Sequence, residues 1–211
     1  MMMKYKVIEN YLDELFKNPV CELNYINDYT LLISIVLSAQ TTDKRVNQVT
    51  KILFDKYSDL KSLANANIDD IKKIIKSIGN YNKKAEYIID IANKLHYQYN
   101  DIVPCDDKIL LTFKGVGRKT INVFLSEYYN IPKIAVDTHV ERVSKRLNLC
   151  SKKDNPLEIE NKLMKIFPKK DWGKRHLQLV LFGRYCCKAK KAECKNCKLK
   201  EVCNYYQEKI N

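Results

Sequence analysis

The chain has 211 residues, with 38 lysines and arginines against 25 aspartates and glutamates, for a formal net charge of +13 at pH 7. That length buries one large core or two modest ones, and the basic excess favours a polyanionic partner. Met1 to Lys4 leads directly into charged sequence, with no apolar run of signal-peptide or membrane-span length, so the chain is read as cytoplasmic with no membrane partner.

Along the chain the pattern is almost entirely helical. Leu31, Leu32, Ile33, Ile35, Val36 and Leu37 form a nearly continuous apolar run, predicted to be a buried helix ending near Ser38, Ala39 and Gln40. Asp43 is predicted to N-cap the next helix, with Val46, Val49, Ile52 and Leu53 on one face. Ile68, Ile71, Ile74, Ile75 and Ile78 make another stripe, predicted to close at Gly79 as a C-cap. Asn82 is predicted to start a helix whose Ala85, Ile88, Ile89, Ala92 and Leu95 face the core. Isoleucine favours strands, but these residues recur every three or four positions and not every second, so helix is the better assignment. Pro104 then interrupts. Pro132 and Pro156 bracket a short helix beginning at Asp137, and Pro168 precedes a last helix from about Trp172 to Gly183.

Two of the five glycines fall at 115 and 117, within Gly115-Val116-Gly117-Arg118-Lys119-Thr120. Doubling glycine in a glycine-poor chain marks a special turn. Ile109, Leu110 and Phe113 before it, and Ile121, Phe124, Leu125 and Tyr128 after it, fit two helices meeting at a tight hairpin. The amides of Gly115 and Gly117 would then face outward at a helix start, where the dipole favours an anion such as a DNA phosphate. Lys119 lies in that same first turn, a position suited to an amine nucleophile.

Cys187, Cys194, Cys197 and Cys203 are spaced C-x6-C-x2-C-x5-C. With an intracellular setting the eight cysteines are reduced or metal-bound. Structural zinc favours two C-x2-C pairs and this run has one, whereas wider gaps suit a cubane cluster with one cysteine on each iron. Zinc and unligated thiols are the alternatives. Cys186, Cys21, Cys105 and Cys150 are read as bystanders. Between Lys162 and Lys200 there are 13 basic residues against the acids Asp171 and Glu193. The loop Lys188 to Glu193, pinned between two ligands, would present Lys190 and Lys191 to phosphate; the bland alternative is a solvated lysine loop.

Taken together, Leu37-Ser38-Ala39-Gln40-Thr41-Thr42-Asp43, Ile78-Gly79, Gly115 to Thr120, Val136-Asp137-Thr138-His139, Gly183-Arg184-Tyr185 and the cysteine run resemble the endonuclease III family of helix-hairpin-helix DNA glycosylases, in order and over nearly the whole chain. The resemblance implies an all-α fold of two helical domains flanking a DNA-binding cleft. One is a six-helix barrel over residues 22–132, with the hairpin at about 107–128. The other joins 1–21 to 133–211 and carries one [4Fe-4S] cluster within 187–203. The implied function is base-excision repair: removal of oxidised pyrimidines from damaged or abasic double-stranded DNA, with abasic-site lyase activity, by a monomer associated with the nucleoid.

By the same resemblance Lys119 is the nucleophile and Asp137 the essential carboxylate, although an N-capping role alone would also account for an aspartate there. The cluster ligands are Cys187, Cys194, Cys197 and Cys203. Ser38 and His139 belong to the base pocket, and a local backbone partner is the other account of His139. Gln40 fills the gap left by the extruded base, or else caps its own helix. Lys114, Gly115, Val116, Gly117, Arg118 and Thr120 bind DNA with Asn80, Lys190 and Lys191. Two departures stand out. The family usually has Leu-Pro before the hairpin glycine, where this chain has Phe113-Lys114. It also carries a wedging leucine after Ile-Gly, where this chain has Asn80, which can hydrogen-bond a base edge but supplies no apolar wedge. A monofunctional relative and a non-enzymatic DNA-binding module are the competing functions, and the presence of Lys119 and Asp137 argues against both.

Overall fold

The computed structural model describes residues 2–210, and every regular element among them is helical. The chain divides into two compact units, Cys21–Tyr129 and, together, Met1–Val20 with Asn130–Asn211.

Helix α1 (Met2–Leu15) belongs to the second of these units. The first holds α2 (Asp28–Ser38), α3 (Asp43–Lys56), α4 (Leu60–Ala64), α5 (Ile68–Ile74), α6 (Tyr81–Gln98), α7 (Asp107–Leu110) and α8 (Arg118–Tyr128). Apolar all round, α2 is buried from Asp28 to Leu37 and packs against α3, α6 and α8. Its buried Asp28 is satisfied by the amides of Tyr29 and Val103, each at 2.7 Å.

Local details differ from the sequence expectations. Thr42 and not Asp43 caps α3, its hydroxyl accepting from the Arg45 amide, and Asp43 becomes the first helical residue, where its charge suits the dipole. On α3, Val46, Val49 and Leu53 are buried while Ile52 points outward at 56% exposure. Helix α5 stops at Ile74 with Ile75 as its C-cap, and Gly79 is no cap at all. The left-handed residue that turns the chain into α6 is Asn80, at φ 60°. Helix α6 therefore starts at Tyr81, one residue before Asn82. It buries Ile91 where Ile89 was expected, Ile89 being half-buried.

The second unit continues with α9 (Thr138–Arg146), α10 (Pro156–Ile166), a 3-10 turn at Lys169–Asp171, α11 (Trp172–Tyr185), two further 3-10 turns at Cys194–Asn196 and Lys200–Val202, and α12 (Asn204–Ile210). Thus α11 is not the last helix. Ile8 and Leu12 of α1, Val140 and Val143 of α9, Ile159 and Leu163 of α10, and Leu179 and Phe182 of α11 share one core. Each such side chain contributes about 1.5–3 kcal/mol. A polar tie also holds α1 to α11. Buried Arg175 donates to Asp13 Oδ1 and to Gln178 Oε1, each at 2.8 Å, and Gln178 Nε2 donates to Phe16 O at 2.9 Å. Gly183 lets α11 approach α9, because a Cβ there would stand 2.9 Å from His139 Cβ.

Candidate active site and cysteine centre

The hairpin is built by α7, the turn from Leu111 to Gly117, and α8. Asp106 caps α7, its Oδ1 accepting from the amides of Lys108 at 2.8 Å and Ile109 at 3.0 Å. The two glycines do different things. Gly115 has φ 77°, and a Cβ on it would fall 2.3 Å from the Tyr87 ring, so both backbone and space demand glycine. Gly117 has φ −113° and ψ 178°, extended backbone open to any residue, and a Cβ there meets nothing within 4 Å. The special turn that the doubled glycine marked is present, and of the two it is Gly115 that it requires.

Gly117 is the N-cap of α8, and no side chain caps that helix start. Lys114, Arg118 and Lys119 are exposed around it and Thr120 is half-buried. Val116 points inward, 6% exposed, with its amide bonded to Phe113 O at 3.1 Å.

Gln40 and Asn80 belong to the same unit. Both have left-handed backbone, φ 58° and 60°, and a Cβ on Gly79 would stand 3.7 Å from Gln40 O. Ser38 Oγ donates to Ile35 O at 2.8 Å. The carbonyl end of α2 is satisfied by Lys84, 5% exposed, whose Nζ donates to Leu37 O at 2.9 Å and Ala39 O at 2.6 Å. Burial holds the Lys84 pKa below that of an ordinary lysine.

In the other unit Asp137 N-caps α9. Its Oδ1 accepts from the amides of both His139 and Val140 at 2.8 Å, and Oδ2 takes neither bond. A half-buried carboxylate is thereby fixed in direction with one oxygen not spent on the cap. His139 follows at half burial. Burial, with the cations Arg142 and Arg184, outweighs nearby Asp137 and lowers its pKa below that of an ordinary imidazole. Arg142 Nη2 lies 3.3 Å from His139 Nδ1 and donates to Gly183 O at 2.7 Å. Lys119 and Asp137 thus come from different units.

Cys187, Cys194, Cys197 and Cys203 line one cavity of about 100 Å³, together with Tyr11, Phe182, Tyr205, Tyr206 and Cys186. Among the described residues no three His, Cys, Asp or Glu side chains converge on a point that one ion would occupy. Four thiols spread around a space several water molecules large suit a polynuclear group better than one tetrahedral ion. Arg146 Nη1 donates to Cys187 Sγ at 3.3 Å and to Lys188 O at 2.8 Å, and its guanidinium lies 3.9 Å over the Tyr205 ring. The loop carrying Lys190 and Lys191 is closed at its base by the Glu193 amide on Cys186 O at 3.0 Å and by a Lys188–Glu193 pair at 2.7 Å. Cys150 lies elsewhere in the core, its thiol pushed up to about 11 by burial.

Sequence reasoning passed over Lys84, Arg142 and Arg146. Two arginines four residues apart, on the helix that Asp137 caps, are a readable stripe. A lysine at a core position of α6 is the corresponding signal for Lys84.

These features define the class. Residues 33–169 match the HhH-GPD superfamily of base excision DNA repair proteins. Endonuclease III of Bacillus subtilis is 43% identical over 99% of this chain and 96% of that protein. The Escherichia coli endonuclease III is 40% identical over 92% and 91%. A solved trapped endonuclease III–DNA covalent intermediate, an estranged-adenine complex, matches with a TM-score of 0.96 at 41% identity, covering 100% of this chain and 99% of that one. A thermostable thymine-DNA glycosylase shares the fold, with a TM-score of 0.85 at 23% identity. The chain belongs to the endonuclease III family of base excision repair DNA glycosylases.

Proposed function

We propose that this protein removes oxidised pyrimidines from duplex DNA and then cleaves the abasic site as a lyase, with Lys119 as nucleophile. The observation that carries this reading is an exposed lysine in the first turn of the hairpin helix α8, two residues after its N-cap glycine, Gly117. The amides at that helix start, with Lys114 and Arg118, hold a backbone phosphate and so bring the sugar to Lys119. With the damaged nucleotide extruded, Lys119 Nζ bonds to C1′ and the N-glycosidic bond breaks, the base leaving with a proton. Ring opening yields an imine. Loss of a C2′ proton then drives β-elimination, which breaks the C3′–O bond and releases the 3′ phosphate; hydrolysis of the imine frees the lysine.

Asp137 Oδ2 stabilises the developing oxocarbenium charge and accepts protons. Gln40 and Asn80 occupy the gap in the duplex, Ser38 and His139 contact the base, and Lys190 and Lys191 reach phosphate. Residues 22–132 act as the hairpin-bearing barrel domain and 1–21 with 133–211 as the cluster domain. Cys187, Cys194, Cys197 and Cys203 hold one [4Fe-4S] cluster, which when bound cross-links the chain around the basic loop. The protein acts as a monomer at the nucleoid.

The test is borohydride trapping on a duplex carrying one thymine glycol. A covalent protein–DNA adduct is expected from the native chain and none from Lys119→Gln. Strand cleavage persisting in Lys119→Gln, or no adduct while the visible absorbance shows an intact cluster, would overturn the assignment.

A further inference from the structure

One face of α6 carries Tyr87, Asp90 and Lys94, spaced three and four apart and so aligned along the helix. All three meet the hairpin turn. The Lys114 amide donates to Asp90 Oδ2 at 2.9 Å, and Lys114 Nζ lies 3.9 Å from Asp90 Oδ1. Lys94 Nζ donates to Thr112 O and stands 5.3 Å from the centre of the Phe113 ring. Asp90 and Lys94 pair with each other at 3.2 Å. Tyr87 closes the third side, its ring occupying the space that a Cβ on Gly115 would need. Carboxylate on amide and ammonium on carbonyl grip one turn from both ends, as the two edges of a peptide would.

We propose that Tyr87, Asp90 and Lys94 are the positioning residues of the DNA-binding turn, aiming the amides around Gly115 and Gly117 at phosphate; this rests on the function proposed above. Lys114 replaces the residue type that would stiffen the turn by itself. A proline there has a fixed φ and no N–H. Lysine has neither constraint, and its amide needs an acceptor next to an open surface. Asp90 is that acceptor. A carboxylate beside a phosphate site is electrostatically unfavourable, and Lys94 and Lys114 offset its charge. The geometric role and the bare charge therefore predict opposite signs when Asp90 is neutralised.

Asp90→Ala raises the net charge by one, which by charge alone tightens DNA binding, and it also removes the acceptor of the Lys114 amide, which Asp90→Asn would keep. As a positioning residue its loss weakens binding instead. The experiment measures fluorescence anisotropy with a duplex carrying a tetrahydrofuran abasic analogue and with undamaged duplex, beside thermal melting of each variant. Asp90→Ala is expected to weaken analogue binding about five- to tenfold, the scale of one poorly placed charge-assisted bond, with the melting temperature nearly unchanged. Placed on a Lys114→Pro background, where the donor is gone, Asp90→Ala is expected to lose that effect. Hydrogen exchange at the Lys114 amide supplies a measurement needing no variant. It is expected to be slow in the native chain, and rapid exchange there would overturn the clamp. Tighter or unchanged analogue binding by Asp90→Ala would also overturn it. Equal binding of damaged and undamaged duplex by the native chain would instead count against the repair reading, with the clamp still tested by amide exchange.

Discussion

Alanine at Gly115 and alanine at Gly117 should fail in different ways. Gly115 holds φ 77°, a conformation costing an L-residue roughly 1–2 kcal/mol. Its new Cβ would lie 2.3 Å from Cδ2 of Tyr87 and 2.8 Å from Cε2 and Cγ. Moving a ring wedged against the turn adds about 1–3 kcal/mol, while the stiffer unfolded chain returns about 0.4–1 kcal/mol. The net loss is about 2–4 kcal/mol, a fall of about 4–16 °C in melting temperature for a chain of this size. Gly117, with φ −113° and nothing within 4 Å of its Cβ position, should lose less than about 1 kcal/mol, the cost of alanine at an N-cap. Its Cβ would nevertheless stand in open space at the α8 start, where the proposed phosphate contact would bring an oxygen. Gly117→Ala should therefore melt normally and bind duplex about tenfold more weakly, the worth of one charge-assisted amide bond. Circular-dichroism melting and anisotropy titration of both variants decide the matter. A Gly117→Ala variant that melts as low as Gly115→Ala, or binds DNA as tightly as the native chain, would refute the division of labour.

The cap and the chemistry of Asp137 separate in the same manner. Asp137→Asn should keep the N-cap and the melting temperature, Asp137→Ala should cost about 1 kcal/mol, and single-turnover base excision should collapse in both; an active Asp137→Asn enzyme would remove the carboxylate from the mechanism. Asn80→Leu should lose about 1–2 kcal/mol, because the left-handed backbone at φ 60° suits asparagine and strains leucine. It should also speed base excision or change its dependence on the opposite base. Identical single-turnover rates across all four opposite bases would end that idea. Acid should loosen the tie between α1 and α11. Burial pushes the Asp13 carboxyl up, but bonds from Arg175, Lys174 and Gln178 outweigh it and hold the group below its ordinary value of 3.8. A depressed folded pKa contributes stability above that ordinary value and loses it as pH falls further. Melting temperature should therefore drop below about pH 4, and Asp13→Asn should flatten that limb; an unchanged limb would place the acid sensitivity elsewhere.

What the sequence determined on its own is whatever depends on neighbours in the chain. The apolar run at Leu31 to Leu37 needs no partner to be recognised as a buried helix. Asp137 before Thr138-His139-Val140 carries its own capping geometry, since donor and acceptor lie two and three residues apart. Cysteine spacing limits what the four thiols can surround. Tertiary structure decided the rest. Which glycine was indispensable depended on Tyr87, 28 positions before Gly115 in the chain. The isoleucine stripe stays buried past the end of α5, through Ile75 and Ile78, and the left-handed turn into α6 falls on Asn80 and not on the glycine beside it. The unit that α1 joined was decided by long-range contacts, Ile8 and Leu12 in the shared core and the bond from Arg175 to Asp13, 162 positions apart. Asp90 and Lys94 look in sequence like an ordinary solvated helix pair. Only folding α6 against the hairpin turns them into partners of Lys114 and Thr112, because an amide or carbonyl left over by a tight turn takes whatever group the fold brings within about 3 Å.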